Sequence, residues 1–137
     1  MQTVERLMST SPGHYKIDQS TLADCIEACV ECELACTTCA DACLAEAKVE
    51  QLRRCIRLNL DCADVCGATA PVLARASNGD LELMRAQVEA CMSACAACGA
   101  ECERHASEHE HCRICAEQCR SCEDRCRQLI RMLPGAA

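Results

Sequence analysis

Six cysteines fall at Cys25, Cys29, Cys32, Cys36, Cys39 and Cys43, in alternating steps of four and three residues. Thiols at that spacing share one face of one α-helix, turn above turn. The rhythm returns at Cys55, Cys62 and Cys66, again at Cys91, Cys95, Cys98 and Cys102, and again at Cys112, Cys115, Cys119, Cys122 and Cys126. These four rows hold all eighteen cysteines of the 137-residue chain. The pattern is a heptad, with cysteine where a helical bundle ordinarily carries leucine. Sulfurs so arranged have three uses: to fill a core as small hydrophobes, to hold soft metal ions, or to cycle between thiol and disulfide.

The first use suits one or two cysteines. Cysteine is a mediocre helix former and fills less apolar volume than leucine, so packing alone does not account for eighteen in register. Disulfide formation within a row is opposed by geometry. Cβ atoms three or four residues apart on a helix lie about 5–6 Å apart, whereas a disulfide wants about 3.5–4.5 Å. Metal binding fits, and the charge of the ion matters. Many bare thiolates in a dry core would be prohibitive, so the empty protein carries mostly protonated thiols. A monovalent ion that replaces one proton per thiol leaves the interior neutral. Cu(I) does this and is the soft ion that thiolates select. Zn(II) in four-thiolate sites leaves about two negative charges per ion uncompensated. Cys112, Cys115 and Cys119 superficially resemble a ferredoxin run, but the flanking loop and full four-ligand set are missing. Uptake of about one Cu(I) per cysteine is the upper bound that charge neutrality allows. A zinc or cadmium buffer of metallothionein type and a thiol redox buffer are the alternatives.

A few other residues join the rows. Asn59 occupies a position where the rhythm demands a cysteine. It is either a buried polar residue fixing bundle register or a carbonyl ligand, and coordination is favoured among so many sulfurs. Glu46 and His105 extend the first and third rows. His105 and His109 are expected as ligands at one end of the bundle. His111, beside the fourth row, ranks behind them, and His14 lies on the surface. Paired carboxylates and an open metal position with a base are both missing from the rows, so no enzyme activity is expected.

These residues must be positioned by helices. Residues 1–16 read as an N-terminal arm with Val4, Leu7 and Met8 on one face, broken at Ser9–Gly13. Residues 17–137 read as an all-α, antiparallel up-down-up-down four-helix bundle, with helices at about 18–47, 49–76, 80–105 and 108–133. Thr21-x-x-Asp24 and Ser107-x-x-Glu110 resemble capping boxes. Asp80 is a natural N-cap, and Gly79 is expected in the left-handed conformation. Pro71 predicts a kink, and Pro134-Gly135 ends the last helix. The cysteine-lined interior then runs about 27 Å from Cys25 to Cys43 at 1.5 Å per residue. Leu22, Leu73, Leu81, Met84, Val88, Leu129 and Leu133 converge at one end as a hydrocarbon plug. Glu46, His105, His109 and His111 gather at the other, which is the expected mouth.

Composition excludes several classes. The net charge is −7, with one aromatic residue, and no basic stripe is present, so nucleic-acid binding has no support. No apolar run approaches the roughly 20 residues of a membrane span. Met1–Ser11 has no apolar centre of a secretory signal and no paired arginines, so a cytoplasmic protein with reduced thiols is expected.

On the four cysteine rows, the histidines around His105–His111 and the in-register Asn59, the chain resembles the cytosolic bacterial copper storage proteins, the Csp family in its Csp3 branch, over about residues 18–133. That resemblance implies a four-helix bundle assembled as a homotetramer. It also implies multiple Cu(I) ions held by the bundle-lining cysteines in groups of four. Histidine and asparagine complete some groups. A protein that delivers or accepts copper is implied as partner. The methionine-rich entrance of exported members has no counterpart, because Met8, Met84, Met92 and Met132 sit elsewhere.

Overall fold

The structure, a computed structural model, describes residues 2–134. A short helix α1 (Gln2–Thr10) precedes four long ones: α2 (Gln19–Leu44), α3 (Arg53–Ala74), α4 (Leu81–His105) and α5 (Glu110–Met132). A single turn of 3-10 helix, Val49–Leu52, leads into α3. Among the described residues there is no strand. In the bundle α2 packs on α3 and α5, and α4 packs on the same two, so the four helices form a square. Cys43, ending α2, lies 4.0 Å from Cys112, opening α5, and Cys55, opening α3, lies 3.6 Å from Cys102, ending α4. Neighbouring helices are therefore antiparallel.

Small side chains make this square close tightly. Cysteine is short, so the helices must approach before sulfurs from opposite walls can touch. Ala28, Ala40, Ala63, Ala70 and Ala116 are buried beside the rows. Gly99 does the same between α4 and α5, where an added Cβ would meet the Cys119 Cβ at 3.3 Å. All eighteen cysteines are buried and free.

The two ends differ. Leu22, Leu73, Val88 and Leu129 are fully buried at the end that gathers the start of α2 and the end of α5, with Met84 and Leu133 beside them. Leu81 is only partly buried there. The arm adds Met8, buried against α2, with Val4 partly buried. Leu7, expected on the same face, is 64% exposed, because the single inward stripe of so short a helix is filled by Val4 and Met8. Arg85 ties this end shut, donating to the carbonyls of Pro134 at 2.9 Å and Leu133 at 3.2 Å, which the end of α5 leaves without helical partners. Gly135 lies outside the described residues.

Several local expectations are corrected. The N-cap of α2 is Asp18, whose carboxylate accepts from the Thr21 N–H and hydroxyl, both at 2.9 Å, in place of a Thr21–Asp24 box. Asn78, not Gly79, takes the left-handed conformation, with φ 56°. Asparagine tolerates that region, and Asp80 then caps α4 by accepting from Glu82 and Leu83 N–H. The first long helix stops at Leu44, where the Ala45 and Glu46 N–H groups tighten onto Ala42 and Cys43 carbonyls. The last begins at Glu110 with no side-chain cap. Glu108 and His109 N–H both bond the His105 carbonyl, at 3.1 and 3.0 Å, so the turn closes behind Ser107 and no capping box forms there. α3 continues past Pro71 to Ala74.

Candidate metal centre

Four walls with a sulfur on nearly every turn bring the thiols into one continuous column. Sulfurs from different helices lie 3.7 Å apart at Cys36–Cys119, 3.7 Å at Cys66–Cys95, 3.8 Å at Cys29–Cys91 and 3.9 Å at Cys32–Cys62. Such distances are near contact for sulfur and far above the bond of about 2.04 Å in a disulfide. The interior is thus a packed column of thiols. It is not the open tube that the row pattern alone suggests.

The column divides into groups of four whose ligand atoms all lie within 4.8 Å of one another. From the plugged end these are Cys29, Cys91, Cys122 and Cys126; then Cys32, Cys66, Cys95 and Cys122; then Cys32, Cys36, Cys62 and Cys119; then Cys36, Cys98, Cys115 and Cys119. Each group shares a sulfur with the next. An ion held through a shared sulfur, such as Cys122 or Cys32, therefore already touches a ligand of the neighbouring group. With metal–thiolate bonds of about 2.3 Å, two sulfurs of a trigonal site stand roughly 4.0 Å apart and those of a linear one roughly 4.6 Å. The observed spacings match the first and need a small spread for the second.

Asn59 is fully buried on α3 and faces these sulfurs. Its Oδ1 accepts from the thiols of Cys98 at 3.0 Å, Cys102 at 3.4 Å and Cys115 at 3.4 Å. Its amide lies 3.8 Å from Cys55 Sγ. In the metal-free protein the carbonyl is satisfied by S–H donors. When an ion replaces those protons the same oxygen faces the ion.

Beyond the fourth group lies the polar end. Cys39, Cys43 and Cys112 form a group there with His111. The His111 Nδ1 is 3.5 Å from Cys39 Sγ and 3.6 Å from Cys112 Sγ. His109 and His111 stack with centroids 5.5 Å apart, and both reach Glu46 Oε2, at 3.1 and 2.9 Å. The His111 hydrogen bond, with His109 beside it, holds the Glu46 carboxyl below its usual range. Burial pushes the Cys43 thiol up to about 11 and raises Cys112 as well, so both are thiols at neutral pH. Among the described residues, Leu52 is the one large aliphatic side chain fully buried at this end. Across the bundle His105 Nε2 is 2.9 Å from Glu101 Oε2, while Arg104 and Arg54 approach Oε1 at 3.3 and 3.7 Å.

The structure treats the three histidines of the mouth unevenly: His105 and His109 are engaged by carboxylates, and His111, ranked below them, is the histidine against sulfur. The late start of α5 explains this. With His109 as the residue before the helix, His111 sits in its first turn and swings toward Cys39. Glu101, only 6% exposed, was also not singled out. The signal was present in its position four residues before His105.

Comparison with known proteins places this geometry. The family model for copper storage protein matches residues 18–131. The copper storage protein of Streptomyces lividans loaded with 10 copper equivalents is 53% identical, covering 95% of this chain and 99% of that one, with a TM-score of 0.92. The metal-free copper storage protein 3 of Bacillus subtilis is 37% identical over 79% of this chain and 97% of that one, with a TM-score of 0.67. An uncharacterised cysteine-rich protein of Bacillus subtilis, YhjQ, is 39% identical over 71 residues, 52% of this chain and 62% of that relative's length. The buried thiol column and the match to nearly the whole bundle place this chain in the copper storage protein family.

Proposed function

We propose that the protein stores Cu(I) at high capacity on the thiolates of the bundle interior, with exchange at the His-bearing end. The observation that carries this reading is the run of four-sulfur groups, each sharing a sulfur with the next. A carrier of one ion needs one accessible pair of thiols, whereas this core devotes all of its cysteines to one buried column. The ligands in this reading are the eighteen cysteines, with Asn59 at the fourth group and His111 at the mouth. His105 and His109 serve the entering ion beside them. A monovalent ion exchanged for each S–H proton keeps the dry interior neutral, as buried charge requires.

Finer parts of the reading rest on the family and on surface character. A homotetramer accords with the exposed Leu34, Leu44, Leu60 and Ile114 along the outer helix faces. Light scattering on the reduced protein tests it. A cytoplasmic location accords with a solved relative described as a cytosolic copper storage protein and with reduced thiols. A protein that hands over or accepts Cu(I) at the mouth completes the scheme.

The test is anaerobic titration with Cu(I) against a chromophoric chelator. Storage predicts saturation above about ten ions per chain, with one per thiol as the ceiling set by neutrality. Saturation at about four or fewer, matched by tight stoichiometric Zn(II) binding at about a quarter of the thiol count, would replace storage with a zinc buffer.

A further inference from the structure

The polar end contains a carboxylate whose geometry assigns a job to it. Glu46 lies just past the end of α2 and is partly exposed, so it adds nothing to the core. Its Oε2 is 2.9 Å from His111 Nε2. An ionised carboxylate only accepts hydrogen bonds, so the imidazole must donate from Nε2. A neutral imidazole has one N–H, and the lone pair then resides on Nδ1. Nδ1 is the atom that stands 3.5 Å from Cys39 Sγ and 3.6 Å from Cys112 Sγ. Cys43 completes the same group, with its sulfur 4.0 Å from Cys112.

We propose that Glu46 is the positioning residue of the mouth: it holds His111 in the Nε2–H form and aims the Nδ1 lone pair into the Cys39, Cys43 and Cys112 triangle, making a three-sulfur, one-nitrogen entry site for Cu(I). The proposal rests on the storage reading for the identity of the ion. His109 braces the arrangement. Its Nδ1 reaches the same carboxylate oxygen at 3.1 Å, and its ring stacks on that of His111, so Glu46 is held from two sides. The opposite wall supplies a comparison. Glu101 takes His105 Nε2 at 2.9 Å in the same sense, but it is buried and shared with Arg104. Glu46 has no arginine on it among the described ion pairs, so its charge is directed wholly to the two histidines. A carboxylate behind a ligating imidazole fixes ring orientation and raises ligand basicity, and losing it costs about ten- to a hundredfold in metal affinity or activity.

Nitrogen NMR of the metal-free, reduced protein at a pH where the imidazole is neutral reads the tautomer directly. His111 should show a pyrrole-type Nε2 and a pyridine-type Nδ1. Glu46→Ala should mix the two forms and slow stopped-flow Cu(I) uptake from a chelator by about ten- to a hundredfold, with the rest of the spectrum unchanged. Glu46→Gln retains an acceptor oxygen and should restore the tautomer and most of the rate. An unchanged tautomer and rate in Glu46→Ala, or a Gln variant no better than Ala, would overturn the assignment. Wild-type capacity measured alongside separates the two claims. If the wild type takes up only a few ions, the storage reading fails. If it fills and Glu46→Ala fills equally fast, only the role of Glu46 fails.

Discussion

The two ends of the thiol column are built from opposite materials. At one end Leu22, Leu73, Val88 and Leu129 close the bundle with fully buried hydrocarbon, and Arg85 clamps the last carbonyls. At the other, Glu46, Glu101, His105, His109 and His111 surround the final sulfurs with polar groups linked to one another. The thiols between them are common to both. The difference separates two demands on one small domain. A core of short thiols buries less apolar area per residue than one of leucines, so the plug supplies a large share of the hydrophobic stabilisation. Ion exchange needs ligands near solvent, which an aliphatic seal would prevent.

Substitutions at the two ends should therefore separate stability from traffic. The largest effect is expected at the plug. Leu129→Ala should destabilise the protein by about 2–5 kcal/mol in denaturant melts, through lost burial and a residual cavity, while Cu(I) capacity stays at the wild-type value. At the mouth His111→Ala should slow Cu(I) uptake at least as much as Glu46→Ala does, lower capacity by no more than about one ion, and leave the melt nearly unchanged, because a partly exposed side chain away from the core contributes little. His109→Ala should slow uptake less, since its contacts are to Glu46 and to the His111 ring. Between the ends, Cys119→Ser removes a sulfur shared by two groups. Copper counting on the saturated variant should show a loss of about one to two ions, as expected if each ion replaces the proton of one thiol.

The smallest signal concerns protons. Burial keeps Cys43 up at about 11 and raises Cys112, so both thiols carry their protons at neutral pH. Binding of the ion to the thiolate must then expel a proton. A lightly buffered titration should release about one proton for each of these two mouth thiols that takes up Cu(I), and apparent affinity at the mouth should fall as the pH is lowered. Affinity independent of pH would mean that the thiols are already ionised in the empty core.

The helical plan and the sulfur column were legible because they depend on periodicity alone. Steps of three and four put Cys25 through Cys43 on one face whatever the details of packing. Asn59 stood out for the same reason. The mouth was harder to read. His111 ranks below His105 and His109 in the sequence because it stands beside the Cys112 row and not on it, and Ser107-x-x-Glu110 places the helix start two residues too early. Only the backbone closure of Glu108 and His109 onto the His105 carbonyl fixes that start. The Glu46–His109–His111 contacts join the α2 end to the α5 start, a pairing that spacing within one helix does not specify. Asn78 took the positive φ expected of Gly79 because both residue types are compatible with it, and the sequence carries no term that chooses between neighbours.

The central claim, that the whole column is the store, is tested most directly by anomalous scattering at the copper edge from a crystal loaded with Cu(I). The account predicts copper along the axis, from the group of Cys29, Cys91, Cys122 and Cys126 beside the plug to the group of Cys39, Cys43, His111 and Cys112 at the mouth. Copper confined to the mouth group, with the deeper sulfurs still at their metal-free spacings, would contradict it.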